Sequence, residues 1–187
     1  MFPRAPVFVT GRPEKALEAE RLGFPLERMN LDLPEPQALE PADVAEAKAR
    51  AAFERLGRPV LVEDSGLAVE AWGGFPGAFV KWLEKSAGLE AIARMLDPFP
   101  DRSARAVCAI AYFDGETLHA ARGVASGSIA GSPRGSQGFG WDALFVPNGG
   151  DRTFAEMTPA EKDRVSHRGR AWAEMARRMR GSKSPKF

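Results

Sequence analysis

Apolar runs alternate with stretches of helical periodicity in the first half of the chain. The run Val7-Phe8-Val9 predicts a short buried strand, and Thr10-Gly11 ends it before a helix that begins near Pro13. A second helix is predicted from about Ala42 to Leu56, where an alanine-rich stripe forms the apolar face and Gly57 follows the last turn. Strands and helices that alternate in this way favour an α/β fold.

Val60 to Gly66 predicts a buried strand with two adjacent carboxylates and a hydroxyl near its end. The strand is expected to end at these polar residues, at the sheet edge where open α/β sheets bind ligands. Because neighbouring side chains on a strand point to opposite faces, one of Glu63 and Asp64 is expected to face the site and the other a structural partner. A solvated turn at Ser65-Gly66 is the alternative for this stretch alone.

The second half of the chain is predicted to be richer in strands. Phe79 to Leu96 is expected to be helical with a break at Gly88. Arg105 to Phe113 and Thr117 to Ala125 predict two strands, and Asp114-Gly115 between them is a strong hairpin signal. A hairpin requires antiparallel pairing, so the sheet is expected to be mixed.

A glycine-punctuated loop with aromatic residues, Ser132 to Asp142, precedes two predicted C-terminal helices. The first helix begins with the capping box Thr158-Pro159-Ala160-Glu161, and Ser166 is suited to cap the second. Trp172 and its apolar neighbours on the second helix are assigned to the core rather than to a site.

The composition, with 44% hydrophobic and 27% charged residues and a net charge of +1, predicts one folded domain over residues 1–187 with no general attraction to nucleic acid. The single cysteine, Cys108, excludes an internal disulfide and fits a reducing cytoplasm. With two histidines it cannot build a typical zinc site. No apolar stretch is long enough to span a membrane, and the start Met1–Arg4 lacks the core of a signal peptide.

Four features together indicate a polyphosphate attached to a base. They are the turn from Thr10 to Lys15, the carboxylates at Glu35 and Glu63-Asp64, isolated lysines, and the aromatic loop Phe139–Asp142. The turn matches neither a P-loop nor a dinucleotide fingerprint, which sets those two classes aside. A hard cation with oxygen ligands, such as Mg²⁺, is the remaining metal option.

Six spaced motifs then occur in an order that is typical of one family. They are Thr10-Gly11, Val62–Leu67, Gly73–Gly77, Phe139–Asp142, Thr153–Met157 and Ser166–Arg168. Over nearly its whole length the chain resembles the inosine triphosphate pyrophosphatase family, whose members hydrolyse the triphosphates of inosine, deoxyinosine and xanthosine to monophosphate and pyrophosphate. The resemblance implies a long twisted mixed sheet flanked by helices, in two lobes around a nucleotide cleft. It also implies Mg²⁺ dependence, a homodimer and a cytoplasmic house-cleaning role.

The resemblance also implies roles for single residues at the phosphate end. Asp64 matches the catalytic carboxylate and metal ligand, Glu35 matches a second metal-binding acid, and Glu63 is a weaker candidate. Attack of water on the α-phosphorus needs a cation near the phosphates and a carboxylate that orients or deprotonates the water. Arg12 stands where the family has asparagine, and its charge suits phosphate. The phosphate contacts are assigned to Thr10, Gly11, Arg12, Lys15, Lys48, Ser65, Lys81 and Lys162.

At the base end Phe139 resembles the family's stacking ring. A 6-oxo purine carries an acceptor at C6 and a donor at N1, so Arg168 or His167 as donor and Asp142 as acceptor would reject adenine. Guanine shares both groups, and no residue is assigned to its exclusion at C2. The base contacts are assigned to Phe139, Gly140, Trp141, Asp142, His167 and Arg168.

Two alternatives stay open. The first is a house-cleaning pyrophosphatase that prefers other bases, such as modified pyrimidines. The second is a nucleotide- or nucleic-acid-binding protein that uses the C-terminal helices, where basic residues outnumber acids from Arg164 onward. This second reading predicts steeply salt-dependent binding and no metal-dependent hydrolysis, and the near-neutral net charge speaks against it.

Overall fold

A seven-stranded mixed sheet runs through the computed structural model, which describes residues 5–181. The strands are β1 (Val7–Val9), β2 (Arg28–Met29), β3 (Val60–Val69), β4 (Pro76–Gly77), β5 (Ser103–Phe113), β6 (Leu118–Ile129) and β7 (Phe145–Pro147). The helices are α1 (Pro13–Arg21), α2 (Pro41–Leu56), α3 (Val80–Ala87), α4 (Leu89–Arg94), α5 (Pro159–Val165) and α6 (His167–Gly181). The start Met1–Arg4, considered above for a signal peptide, and the basic residues Lys183 and Lys186 lie outside the described residues.

The strand order is β2-β1-β3-β5-β6-β7, with β4 paired to β3 off this path. β1 pairs in parallel with β2 and β3, whereas β3, β5, β6 and β7 form antiparallel pairs. Phe113 lies opposite Leu118, which confirms the hairpin at Asp114-Gly115. The predicted α/β fold with a mixed sheet is therefore confirmed.

The expected end of the third strand near Ser65-Gly66 was wrong. β3 continues to Val69, and Asp64 and Ser65 are paired in mid-strand with Ala109 and Cys108 of β5. The long antiparallel partner satisfies the backbone groups of these polar residues, so the chain has no reason to turn there. β2 and β4 were not predicted, because each has two residues and is too short to show an alternating pattern.

Alternate residues of the central strands pack against different helices. Val60 and Val62 belong to the core cluster that contains α2, whereas Leu61 belongs to the cluster that contains Trp172 of α6. Trp172 is fully buried, which confirms its assignment to the core. By the same alternation, the two carboxylates that follow on β3 are delivered to opposite faces of the sheet.

A third core cluster lies where α3, α4 and the far ends of β5 and β6 meet β7. Gly88 separates α3 from α4, as predicted, with a positive φ of 79°. The capping box at α5 is also confirmed, since Thr158 N donates to Glu161 Oε2 at 2.8 Å and Glu161 N donates to Thr158 Oγ1 at 3.3 Å. Within residues 5–181, every helix is too short or too polar to cross a membrane. The division of the domain into two lobes stays a prediction.

Candidate active site

A cleft of about 870 Å³ lies between the β1–α1 turn, α2, β3, α3 and the start of α6. It collects most of the residues that the sequence assigned to a site, although they come from distant parts of the chain. Thr10 and Lys162 are the assigned residues that do not line it. The lining includes Gly11, Arg12, Lys15, Glu35, Lys48, Asp64, Ser65, Lys81, Phe139, Gly140, Trp141, Asp142, His167 and Arg168.

Two carboxylates meet around one ammonium group at one end of the cleft. Lys48 Nζ lies 2.6 Å from Glu35 Oε1 and 3.9 Å from Asp64 Oδ1. Lys81 Nζ lies 3.8 Å from the second oxygen of Glu35. Glu35 reaches this point from the segment before α2, where Pro34 and Pro36 flank it and restrict the backbone. The result is an acidic pair surrounded by lysines, which we call the phosphate end.

The surroundings of Asp64 place its ionisation near neutral pH. Burial disfavours the charged form and raises the pKa of Asp64 from 3.8 to about 6, although Lys15 and Lys48 act in the opposite direction. Burial acts in the same direction at Glu35, but the hydrogen bond and charge of Lys48, together with the charges of Lys81 and Lys15, outweigh it and lower the pKa of that carboxyl. Two acids in one cleft thus have different proton affinities.

The donor set of the phosphate end fits a magnesium ion. Within the described residues there is no group of three or more His, Cys, Asp or Glu side chains that could hold a metal. Asp64 and Glu35 offer two carboxylates, and the Lys48 ammonium between them shows that they can share a cation. Mg²⁺ commonly takes one or two protein carboxylates and fills its other positions with phosphate oxygens and water.

Glu63 is a structural acid on the opposite face of β3. Its Oε1 accepts from Arg168 Nε at 2.9 Å and lies 3.3 Å from Lys15 Nζ. Lys15 also donates to the Glu63 backbone carbonyl at 3.2 Å, so Glu63 ties α1 and α6 to the strand through its carboxylate and its main chain. The expectation that one of the two adjacent acids faces the site and the other a structural partner agrees with this arrangement.

Glu18 of α1 completes this buried network, although it was not among the site residues predicted from the sequence. It is 5% exposed, and its two oxygens accept from Lys162 Nζ, at 2.9 Å, and from Arg168. Burial opposes the charge of Glu18, but these two cations outweigh it and lower its pKa. No sequence signal separated Glu18 from the neighbouring acids of the same helix.

Lys162 is grouped with the base residues, not with the phosphate end to which the sequence assigned it. Its Nζ is bound to Asp142 Oδ2 at 2.6 Å and to Glu18, and it lies 5.0 Å from the centre of the Phe139 ring. The sequence showed that Lys162 carries a positive charge, but it did not show which acids the side chain would reach. Burial raises the pKa of Asp142 in spite of this ammonium group.

Phe139 is surrounded by cations at the other end of the cleft, which we call the base end. Besides Lys162, Arg168 lies 5.2 Å and Arg12 5.7 Å from the centre of its ring. Asp142 Oδ2 accepts from the Phe139 backbone N–H at 2.8 Å, which holds the aromatic residue at the start of a short 3-10 turn. An aromatic face and several hydrogen-bonding groups therefore lie together.

His167 lines the cleft near the base end, and neither of its ring nitrogens is hydrogen-bonded within the described residues. Its imidazole packs between Trp141, at 5.2 Å between ring centres, and Phe154, at 5.9 Å. Burial, reinforced by the charges of Arg168 and Lys162, lowers the pKa of His167 well below 6.5, so the ring is neutral. Neither Nδ1 nor Nε2 has a hydrogen-bond partner among the described residues.

The β1–α1 turn is closed in spite of Arg12 at the family's asparagine position. Thr10 Oγ1 accepts from the Arg12 backbone N–H at 3.1 Å, so the hydroxyl supplies the local turn contact. The Thr10 side chain is buried, whereas Gly11 lines the cleft. The Arg12 guanidinium lies over Phe139, which places this charge next to the base end.

The fold is a mixed sheet flanked by helices, and its cleft has an acidic, lysine-rich end and an aromatic end. These features define an α/β protein with a site suited to a nucleotide. The chain belongs to the Ham1 family, whose model matches residues 6–178. The family that the motifs indicated is thereby confirmed.

Three relatives illustrate this membership. A dITP/XTP pyrophosphatase of Thermococcus kodakarensis is 46% identical over 173 residues, 90% of this chain and 94% of that protein. An inosine triphosphate pyrophosphatase of Kluyveromyces lactis is 40% identical over 180 residues, 90% of this chain and 92% of that protein. The solved structure of the Staphylococcus aureus Ham1 protein has a TM-score of 0.81 at 25% identity and covers 95% of this chain and 99% of its own.

Proposed function

We propose that this Ham1-family protein hydrolyses the triphosphates of inosine, deoxyinosine and xanthosine to the nucleoside monophosphate and pyrophosphate, and so clears them from the nucleotide pool. Its enzyme class is that of a nucleoside triphosphate pyrophosphatase. One observation carries the proposal: a single cleft holds the Asp64–Glu35 acid pair with its lysines at one end and the Phe139 ring at the other. The groups of a nucleoside triphosphate are arranged in the same order, with phosphates at one end and a stacking base at the other.

Asp64 activates the water that attacks the α-phosphorus. In the metal-free protein a pKa of about 6 leaves most of this carboxyl ionised at neutral pH, while its affinity for a proton is higher than that of an ordinary aspartate. Lys48 and Lys81 bring positive charge to the same end of the cleft and balance the phosphate oxygens. The leaving group is then pyrophosphate.

Mg²⁺ is part of the proposal, with Asp64 and Glu35 as its protein ligands. When bound, this ion would neutralise phosphate charge and polarise the phosphorus–oxygen bonds. The two carboxylates already share the Lys48 ammonium, which makes them suitable for a cation that also takes phosphate oxygens.

The base end discriminates by hydrogen bonding and not by stacking, because every base has a face that stacks on Phe139. Arg168 and the neutral His167 can donate to the 6-oxo group, and Asp142 can accept from N1–H. An adenine base would leave such buried groups unpaired, which costs about 1–3 kcal/mol or roughly ten- to hundredfold per contact. Guanine carries the same two groups, and no residue is assigned to its exclusion.

A homodimer and a cytoplasmic location stay predictions that rest on the family resemblance. Hydrolysis rates measured on several nucleoside triphosphates would distinguish the leading proposal from the alternative of a shifted base preference. The nucleic-acid-binding alternative gains no support from α6, where Arg177 and Arg178 are both bound to Glu174.

The test is a panel of triphosphates of inosine, deoxyinosine, xanthosine, adenosine, guanosine and a modified pyrimidine, assayed with Mg²⁺ and with chelator. We expect pyrophosphate and monophosphate from the first three substrates, and rates at least tenfold lower from adenosine triphosphate. Orthophosphate as the first product would contradict the cleavage site. A preference for the pyrimidine would favour the alternative.

A further inference from the structure

A carboxylate on α3 faces an arginine across the cleft, and it was not among the site residues predicted from the sequence. Glu84 lines the cleft, and a Cβ atom at Gly140 would lie 3.4 Å from its Oε2 and 3.5 Å from Arg12 NH1. Glu84 and Arg12 therefore lie beside the same backbone position, next to the ring of Phe139. They come from opposite walls, α3 and the β1–α1 turn.

Neither charged group is hydrogen-bonded within the described residues, although the Arg12 guanidinium lies over the Phe139 ring. Within residues 5–181, neither the Glu84 carboxylate nor the Arg12 guanidinium takes part in a hydrogen bond or an ion pair. Glu35, by contrast, is bound to Lys48, and Asp142 is bound to Lys162. Glu84 thus presents an acceptor to the cleft without a partner of its own.

The position of Glu84 along the cleft indicates which part of a nucleotide it meets. Lys81, one turn earlier on the same face of α3, contacts Glu35 at the phosphate end. Glu84 reaches Gly140 at the edge of the base end. The carboxylate therefore lies beside Gly140, on the helix that runs from the base end to Lys81 at the phosphate end, and in a nucleotide the sugar joins the base to the phosphates.

The charge of Glu84 leads to the same conclusion. A carboxylate repels phosphate oxygens, and it accepts strong hydrogen bonds from neutral hydroxyl groups. The sugar hydroxyls are the neutral donors in that part of a nucleotide. Because the proposed substrates include both inosine and deoxyinosine triphosphate, the hydroxyl common to them is the 3′-hydroxyl.

We propose that Glu84 is a sugar-binding residue whose carboxylate accepts a hydrogen bond from the 3′-hydroxyl of the substrate. Arg12 on the opposite wall supplies the compensating charge that keeps this carboxylate at the cleft surface. The inference rests on the proposed function and adds a residue to that site. It does not involve the attack on phosphorus, so its signature is tied to the sugar.

The experiment combines removal of the carboxylate with removal of the hydroxyl. We would measure kcat/KM for inosine, 2′-deoxyinosine and 3′-deoxyinosine triphosphates with the wild type, Glu84→Gln and Glu84→Ala. The matched control is Glu90→Gln, which changes an exposed acid on the neighbouring helix α4. Thermal unfolding of all four proteins would show that each is folded.

The wild type is expected to lose about ten- to hundredfold on the 3′-deoxy substrate and little on the 2′-deoxy substrate, since a hydrogen bond to a charged group is lost. Glu84→Ala should lose a similar factor on inosine triphosphate and no further activity on the 3′-deoxy analogue, because the two changes remove one contact. Glu90→Gln should behave as the wild type.

Unchanged activity of both Glu84 variants on inosine triphosphate would overturn the inference, and so would an equal, additive loss on all three sugars. Either result leaves the proposed function intact, because the wild type still releases pyrophosphate. A wild type that releases no pyrophosphate from inosine triphosphate would instead reject the proposed function, and the sugar contact with it.

Discussion

Glu63 and Asp64 are neighbours on β3, yet their carboxylates lie on opposite faces of the sheet and belong to different charge networks. Glu63 Oε1 binds Arg168 Nε at 2.9 Å on the face covered by α1 and α6. Asp64 Oδ1 lies 3.9 Å from Lys48 of α2 on the other face. The alternation of side chains along the strand therefore separates a structural acid from the proposed catalytic acid. Substitution of Glu63 should mainly lower stability, whereas substitution of Asp64 should mainly lower activity.

Asp64→Asn should remove the water-activating carboxylate and leave the fold intact. We expect kcat for inosine triphosphate to fall by about 10²–10⁴-fold, the usual contribution of a general base. Pyrophosphate release measures the loss, and circular dichroism measures the fold. Asp43→Asn, an exposed acid on α2, is the control and should keep wild-type activity. A rate within threefold of the wild type, on the order of 0.7 kcal/mol, would exclude Asp64 as the base.

The stability of the magnesium-free protein should depend on the ionisation of Asp64. Because its pKa rises from 3.8 to about 6 on folding, the folded protein holds this proton more tightly. The free energy of unfolding therefore falls as the pH rises from about 4 to about 6. Asp64→Asn should accordingly be more stable than the wild type at pH 8, by about 1–3 kcal/mol, and the gain should vanish below about pH 4.

Urea denaturation in the presence of a chelator, at several pH values, measures this difference. Asp43→Asn again serves as the control, since its exposed carboxylate in the first turn of α2 should contribute no more than about 1 kcal/mol. A stability difference that does not vary with pH would show that burial does not control the proton affinity of Asp64.

Glu63→Gln should destabilise the protein far more than loss of a surface acid. The substitution leaves the buried cations Arg168 and Lys15 short of one negative charge, and breaking a buried pair costs about 3–5 kcal/mol. Glu70→Gln removes a comparable ion pair with Arg105, 2.6 Å long, between side chains that are 42% and 44% exposed. That control should cost less than about 1 kcal/mol. Equal losses in urea denaturation would mean that the Glu63 network contributes no more than a surface pair.

Glu35→Gln tests the proposed second metal ligand. The amide cannot supply the negative charge that Glu35 shares with Asp64, so the Mg²⁺ concentration for half-maximal rate should rise by about tenfold or more. A Mg²⁺ titration of the initial rate gives this value, with Asp43→Asn as the matched control. If the half-maximal concentration is unchanged and only the maximal rate falls, Glu35 does not hold the ion.

Elements with a local signal were predictable from the sequence. The capping box at Thr158 and the glycine at Gly88 mark boundaries that the structure confirms, because the groups that satisfy such helix ends are a few residues away. The end of β3 and the pair of short strands β2 and β4 were not predictable in this way. Their backbone partners are distant in sequence, and Asp64 stays in the strand because Ala109 of β5 lies opposite it.

The site residues show the same difference between features that local sequence predicts and features that depend on distant partners. Asp64 and Glu35 were predicted as metal ligands and Lys48 as a phosphate contact, and the three side chains lie together in the structure. Lys162 was placed with the phosphates, but Glu18 and Asp142 hold it at the base end. A lysine side chain can reach in several directions, and the acids that bind it come from α1 and the aromatic loop.

Residue identity and short-range spacing were enough to predict the family, the α/β class, the helix boundaries with local caps and the types of residue that the cleft needs. Three-dimensional packing was required to show that Glu63 binds Arg168, that Glu18 completes a buried network, and that Glu84 and Arg12 lie beside Gly140. Those relationships join residues from separate helices and strands, and packing around the sheet is what brings their charges within reach of one another.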